Sequence, residues 1–331
     1  MSGLVLEGEK RIHDLAVIVV STNEARWLRA CLSSVFEHRG ACSLEVVVAD
    51  NESTDGTAVL VEEEFPEARV VRCVNRGFAH ANNRGLETTN ARYILFLNPD
   101  TEIRTGTFGA LVRHLDERLD VGLAGVIQLT PEGEIYPTIR YFPNALRALG
   151  QSLGSERLPF RVQMLRERDL DLGRYHQIVE CDWTSGSFMF ARREALQSAG
   201  FLDERFFIYS EEPDLCLRMK RAGWKVCHVP EMTIVHYAGK AGMRPKMFAQ
   251  DAYTKMQHAR KHFGLLHRGV YGAALGLGYL IRALAPVRDQ SRTGRRAAAR
   301  AALRVLVGLD GPPFGAPPRQ AMSSRDGRST G

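Results

Sequence analysis

No Cys-x-x-Cys pair occurs among the six cysteines of this 331-residue chain, Cys31, Cys42, Cys73, Cys181, Cys216 and Cys227. Several lie inside apolar segments such as Val70 to Val74 and Leu215 to Leu217, so they read as buried free thiols of a reducing compartment. Long apolar runs are missing too. The longest uncharged apolar stretch, Gly269 to Ile281, has 13 residues between Arg268 and Arg282, where a membrane-spanning helix needs about 20. No signal peptide is expected, because the first apolar run, Leu15 to Val20, is short and lies behind Glu7, Glu9 and Asp14. With 44% hydrophobic and 25% charged residues, the chain is neither disordered throughout, nor collagen-like, nor a multi-span membrane protein.

Acidic residues are scarce at one end only. Residues 260 to 331 hold 13 Lys and Arg against 3 Asp and Glu, a balance of +10, whereas residues 1 to 259 carry −4 within the overall +6. The basic character therefore belongs to the tail, and a nucleic-acid-binding core is not expected.

What the chain does contain is alternation. Apolar runs Leu15 to Ser21, Leu44 to Asp50, Arg69 to Val74 and Tyr93 to Asn98 are separated by segments with helix-period apolar positions, the pattern of a parallel sheet with crossover helices. Polar residues gather where each run stops: Thr22, Asn23 and Glu24; Asp50 and Asn51; Asn75 and Arg76; Asn98 and Asp100. Ligands of open α/β sheets bind at the carboxyl ends of the strands, so these clusters are expected to converge on one crevice. Residues 131 to 177 are less regular and read as excursions over it. Regular signals return with Trp183 to Ala191, a helix from near Arg192, and a second helix expected from Pro213 to Ala222 with Gly223 as its stop.

Four segments carry chemistry. Asp50-Asn-Glu-Ser-Thr-Asp-Gly-Thr57 follows a buried strand, and Asp50 suits a hydrogen bond from a base or ribose; alternatively Asp50 and Asp55 cap a helix. Leu97-Asn-Pro-Asp100 presents a carboxylate as Mg²⁺ or Mn²⁺ sites do, or forms an Asn-Pro turn. Glu211, Glu212 and Asp214 precede or open a helix, whose positive end is expected to lower their pKa and keep them ionised, leaving Glu212 able to take a proton from a hydroxyl. Asp214 and Arg218 are spaced to pair. His236 ends the apolar run Met232 to Val235, as a structural residue or a ligand.

In this order and spacing the segments resemble the family 2 glycosyltransferases, particularly the rhamnosyltransferase-like branch that builds bacterial cell-surface polysaccharides. The likeness covers about residues 14 to 240 and rests on Val19-Val-Ser-Thr-Asn23, Asp50 to Thr57, Asn75-Arg-Gly-Phe-Ala-His-Ala-Asn-Asn-Arg-Gly85, Leu95-Phe-Leu-Asn-Pro-Asp-Thr101, Gly186-Ser-Phe-Met189, the Glu211-Glu212 pair and His236. It implies an α/β GT-A fold, a Rossmann-like, mostly parallel central sheet flanked by helices, over residues 14 to 263. A helical extension at 264 to 308, a short N-terminal extension at 1 to 13 and a disordered tail at 309 to 331 complete the organisation.

The resemblance also implies roles. Thr22, Glu24, Asp50, Asn75, Gly77, Asn82, Asn98, Trp183 and Gly186 would surround a nucleotide-sugar, with Asp100 and His236 holding a divalent metal, Mg²⁺ or Mn²⁺. Glu212 is favoured as base over Glu211. The family's first metal-motif carboxylate is Asn98 here, and its usual Glu-Asp pair is Glu211-Glu212. One base opposite one leaving group means a single displacement with inversion. The implied donor is dTDP-L-rhamnose, with a UDP-sugar second, and the implied acceptor is a glycan or polyprenyl-linked glycan. Arg268, Arg282, Arg288, Arg292, Arg295, Arg296, Arg300 and Arg304 among apolar runs suit helices lying on an anionic membrane surface, or packed on the protein or a second subunit. Attachment to the cytoplasmic, inner face of the plasma membrane is expected, and a homodimer stays open. Competing readings are a nucleotidyltransferase, which would carry a Gly-rich basic loop where Ser21-Thr-Asn-Glu-Ala25 stands, a glycosidase with paired carboxylates, and a catalytically silent binding protein.

Overall fold

The computed structural model describes residues 13–157, 162–237, 244–285 and 290–315, with only the backbone of 290–293. Arg288, the Arg292 side chain, residues 1 to 12 of the N-terminal extension and residues 316 to 331 of the tail lie outside the described residues.

Strands β1 (Leu15–Ser21), β2 (Leu44–Asn51), β3 (Ala68–Cys73) and β4 (Tyr93–Leu97) alternate with helices α1 (Ala25–Glu37), α2 (Thr57–Glu64) and α3 (Phe78–Glu87). Then come β5 (Thr101–Thr105), α4 (Phe108–Asp116), β6 (Val121–Leu129), α5 (Ala145–Ser152), β7 (Val179–Cys181) and β8 (Phe188–Arg192). The chain continues through α6 (Arg193–Ala199), α7 (Glu211–Arg221), β9 (Lys225–His236), α8 (Pro245–His262), α9 (Leu265–Leu284) and α10 (Gln290–Leu306).

All nine strands join one sheet in the order β3-β2-β1-β4-β8-β6-β9-β5, with β7 paired to β9. The first four are parallel; every residue of β1 and of β4 is buried, because helices cover both faces, whereas edge strand β3 exposes Arg69 and Arg72. The second half is mixed: β8 runs antiparallel to β4 and β6, while β6 and β9 are parallel. Register aligns the strand ends, setting Ser21 beside Asp50 and Val19 beside Leu97, so the loops after β1, β2 and β4 open at one edge.

The helix expected from Pro213 begins two residues earlier, at Glu211. Tyr209 and Ser210 adopt φ of 72° and 70°, and these consecutive left-handed residues turn the chain so that both glutamates fall within the first helical turn. Pro213 is tolerated there because first-turn N–H groups have no intrahelical partner. The stop is as read from the sequence: Gly223 has φ 92°, its N–H donates to Lys220, and that of Trp224 donates to Met219, a double C-terminal cap.

The basic extension packs on the protein through one face of α9. Its inner face buries Tyr271, Leu275 and Tyr279 in a cluster with Ala148 of α5, Ala252 and Ala259 of α8 and Ala302 of α10. Its outer face exposes Leu265, Leu266, Val270, Leu277, Leu280, Ile281 and Leu284. Among the described residues no helix is long and apolar enough to cross a membrane. Residues 309 to 315, expected within a disordered tail, are held by an Arg304–Asp310 ion pair at 2.8 Å and by Phe314 stacked on Phe207 at 4.4 Å.

Candidate functional site

The loops after β1 and β2 are tied together by short polar side chains. Asn23 Oδ1 accepts from the Thr54 N–H at 2.7 Å, and Asp55 accepts from Ala25 at 2.9 Å and Thr57 at 3.1 Å. Asp50 is 6% exposed, and its Oδ1 accepts from the Ser53 N–H at 3.1 Å. Asn51, assigned no role from the sequence, donates to Thr22 at 3.2 Å and to Asn75 Oδ1 at 3.0 Å, which draws those two expected residues together. Glu24 is half-buried on the same side; burial raises its pKa, and the Asp100 charge adds to the shift.

Gly77 has φ 104°, and a Cβ there would sit 2.2 Å from the Phe207 carbonyl oxygen, so only glycine lets the loop before α3 meet the segment before α7. That contact is closed by the Phe78 N–H donating to Phe207 at 2.7 Å. Asn82 is fully buried in α3, where it donates to the Phe78 carbonyl at 3.0 Å and its Oδ1 has no partner. Trp183 is buried as well, with its indole N–H donating to the Tyr141 carbonyl at 3.0 Å and the Arg140 guanidinium over its ring at 5.0 Å.

At the end of β4 the antiparallel register of β5 and β9 sets Thr101 beside His236 and brings Asp100 Oδ1 to 3.1 Å from His236 Nε2. The Asn98 amide nitrogen lies 3.4 Å from the same Nε2. Gln128, at the end of β6, sits 3.0 Å from His236 Nδ1 and accepts from Ser187 Oγ at 2.6 Å, so the ring is held from behind. Among the described residues no group of three or more His, Cys, Asp and Glu side chains forms a closed metal cage. Asp100 and His236 nevertheless fit a hard divalent cation of the kind that keeps water and takes substrate phosphate oxygens as further ligands.

The glutamate pair departs from expectation. Helix α7 does not lower the pKa of either residue, because it carries them inward and burial raises both. Glu211 is 2% exposed, its Oε2 has no hydrogen-bond partner, and burial followed by the Glu212 charge pushes its pKa well above the usual carboxylate range. Glu212 is half-buried, and burial raises its pKa too, opposed by its own and the Gly186 N–H and by the Arg140 cation. Burial thus favours the protonated form of both carboxyls, and of Glu211 more strongly. Gly186 belongs with this pair: a Cβ on it would lie 2.5 Å from Glu212 Oε1.

Gly186 and Ser187 are adjacent, and they join the two ends of the site. Gly186 presses on Glu212, while Ser187 holds Gln128 behind His236 and accepts from the Asn98 N–H at 3.1 Å. Behind Glu212, Asp214 is fully buried; burial raises its pKa, but the His262 hydrogen bond and the Arg218 and Lys261 charges hold it well below the usual range. Its contacts are 2.7 Å to His262, 2.6 Å to Lys261 and 2.8 Å to Arg218, the last being the spaced pair read from the sequence.

Comparison with known proteins gives the same picture. Residues 16–176 match the family model described as Glycosyl transferase family 2. The chain is 29% identical over 239 residues to the N-acetylglucosaminyl-diphospho-decaprenol L-rhamnosyltransferase of Mycobacterium tuberculosis, covering 67% of this chain and 76% of that protein. It is 26% identical over 170 residues to rhamnosyltransferase WbbL of Escherichia coli, covering 49% and 61%. A solved mannosyltransferase of Pyrobaculum calidifontis, in complex with GDP-Man and Mn²⁺, superposes with a TM-score of 0.54 at 17% identity over 90% of this chain and 88% of that one.

Proposed function

Because this chain belongs to glycosyl transferase family 2, on its rhamnosyltransferase-like branch, and has the GT-A fold, we propose that it is an inverting rhamnosyltransferase. It moves L-rhamnose from dTDP-L-rhamnose to a hydroxyl of a lipid-linked glycan in cell-surface polysaccharide synthesis. The observation that carries this reading is the Gly186-Ser187 junction, which puts a proton acceptor, Glu212, and an Asp100–His236 pair at opposite ends of one short segment. A transferase using a nucleotide diphosphate needs those two groups in one crevice.

In this reading Thr22, Glu24, Asp50, Asn75 and Gly77 line the nucleotide end, and Asn98 lies beside the diphosphate. Asp100 and His236 hold the divalent cation, Mg²⁺ or Mn²⁺, which when bound neutralises the charge developing on the departing diphosphate. Glu212 accepts the proton of the acceptor hydroxyl as that oxygen bonds to the anomeric carbon, and the carbon–oxygen bond to the diphosphate breaks with its electron pair leaving on the nucleotide. Its raised pKa makes it a stronger base than an ordinary carboxylate. Glu211, buried beside it, is pushed toward its protonated form.

The relatives' lipid-linked chemistry gives α9 a use. Its outer face presents leucine, isoleucine and valine, and neither α9 nor the described part of α10 carries an acidic side chain, a combination suited to the interface of an anionic bilayer. In this reading the enzyme attaches peripherally to the inner face of the plasma membrane. Incubation of the full chain with dTDP-L-rhamnose, N-acetylglucosaminyl diphosphate on a short prenyl chain, and Mg²⁺ tests the reading. Rhamnosylated lipid is expected; transfer from a UDP-sugar alone makes the enzyme a UDP-sugar transferase, and no turnover of any nucleotide-sugar overturns the proposal.

A further inference from the structure

A ring of two charge pairs, Arg140 with Glu167 and Lys255 with Asp251, acts on the proposed base and on Tyr209 beside it. Arg140 is held by backbone bridges to Trp183 and Arg168, with its guanidinium 5.0 Å from the Trp183 ring and 5.9 Å from that of Tyr136. It donates to the Tyr136 hydroxyl at 3.3 Å, its Nε is buried without a partner, and it stands 3.9 Å from Glu167 Oε1, a loose separation for an ion pair. Lys255 of α8 is bonded to Asp251 at 2.7 Å, and the Glu167 charge acts on it.

The placement of Lys255 follows from helix geometry. His262 at the end of α8 bonds Asp214 on α7, and residues 251, 255, 258 and 262 recur at the spacing of one helical face. Lys255 therefore lies two turns, about 10 Å, back along the face that packs toward α7. The charges there act on the base and its neighbours. Glu167 raises and Arg140 lowers the pKa of Glu212, Glu167 also acts on Lys255, and Tyr209, just before the glutamates, is pushed up to about 12 by burial first and then by Asp251, Glu211 and Glu212.

The composition of the ring decides its ligand. Two cations and two carboxylates cancel, so a bare phosphate would meet as much repulsion as attraction, and an apolar group would strand four charges. A ring of hydroxyls, each able to donate and accept, satisfies both signs at once. All four side chains retain partial exposure, from 16% for Arg140 to 29% for Asp251. We infer that Arg140, Glu167, Asp251 and Lys255 form the acceptor-sugar subsite, binding the hydroxyls of the sugar ring whose neighbouring hydroxyl is deprotonated by Glu212. This rests on the glycosyl-transfer reading and adds to it which residues choose the acceptor.

The test is steady-state kinetics of the full-length enzyme with dTDP-L-rhamnose and N-acetylglucosaminyl diphosphate on a short prenyl chain, comparing Glu167→Gln and Asp251→Asn with wild type. Losing one charge-assisted hydrogen bond to a hydroxyl is expected to raise the acceptor KM about tenfold or more, with the donor KM within about twofold. An unchanged acceptor KM in both variants, or a rise confined to the donor KM, overturns the subsite. If one variant unfolds, the other still decides. Absence of transfer by the wild type would instead remove the glycosyl-transfer reading itself.

Discussion

Gly186 and Glu212 are in such close approach that a single added methyl on the glycine would lie 2.5 Å from the carboxylate oxygen. The carboxylate is thereby fixed against the loop that leads through Ser187 to Gln128 and His236, so the position of the base is set by the same segment that supports the Asp100–His236 pair. Gly186→Ala is expected to move the carboxylate by about 1 Å and lower kcat about 100-fold, a cost typical of misplacing a reacting group. Full activity in that variant would show that Glu212 is not held there during turnover.

The two glutamates separate by burial. Glu212→Gln removes the proposed proton acceptor and is expected to lower kcat by about 1,000-fold, within the usual range for a general base. Glu211→Gln replaces a buried carboxyl, whose pKa burial raises, by an amide of the same shape, and its kcat is expected to fall by less than about tenfold. Reversed magnitudes would assign the base to Glu211.

The pH dependence carries a sign. Glu212 works ionised, and burial raises its pKa above that of an ordinary glutamate. The rate therefore rises with pH through that raised value, so the acidic limb of the kcat profile lies above the usual glutamate pKa of about 4.3. Glu212→Gln should flatten this limb; a limb that persists in the variant belongs to another group.

Asp214 is fully buried between Arg218, Lys261 and His262. With its folded pKa depressed, its contribution to stability is fully present above the unfolded value near 3.8 and is lost as pH falls through the folded one. Asp214→Asn takes the carboxylate from Arg218, while Lys261 keeps Asp203 at 2.6 Å, and is expected to cost about 3 kcal/mol, read by denaturant unfolding at neutral pH. A loss within about 0.5 kcal/mol would mean that the cluster adds little to the docking of α8.

Flotation with vesicles tests the outer face of α9. Wild-type protein is expected to float with vesicles containing phosphatidylglycerol, while Leu266→Glu combined with Leu277→Glu reduces the bound fraction about tenfold. Equal flotation of both proteins removes the membrane role from this face.

How much of this was legible in the sequence varies with its physical origin. Strands β1, β2 and β4 were readable because burial leaves nearly continuous apolar runs, while edge strand β3, with Arg69 and Arg72 exposed, was readable from its valines; each strand's polar stop marks the crevice edge. Helix α7 was misjudged at its start because the left-handed turn at Tyr209 and Ser210 uses two residues that seldom signal it. The ionised state expected for Glu211 and Glu212 came from the helix end alone; the burial that outweighs it depends on Gly186 and other residues distant in sequence. Gln128 behind His236 carried no signal, being one polar residue at the end of an apolar strand. Arg140 and Glu167 sit in the irregular section 131 to 177, where no periodicity indicates which side chains turn inward.

The central claim is that Glu212 drives a single displacement at the anomeric carbon. NMR of the product formed from dTDP-β-L-rhamnose tests it most directly: the account predicts an α-L-rhamnoside, and a β-L-rhamnoside, showing retention, would contradict it.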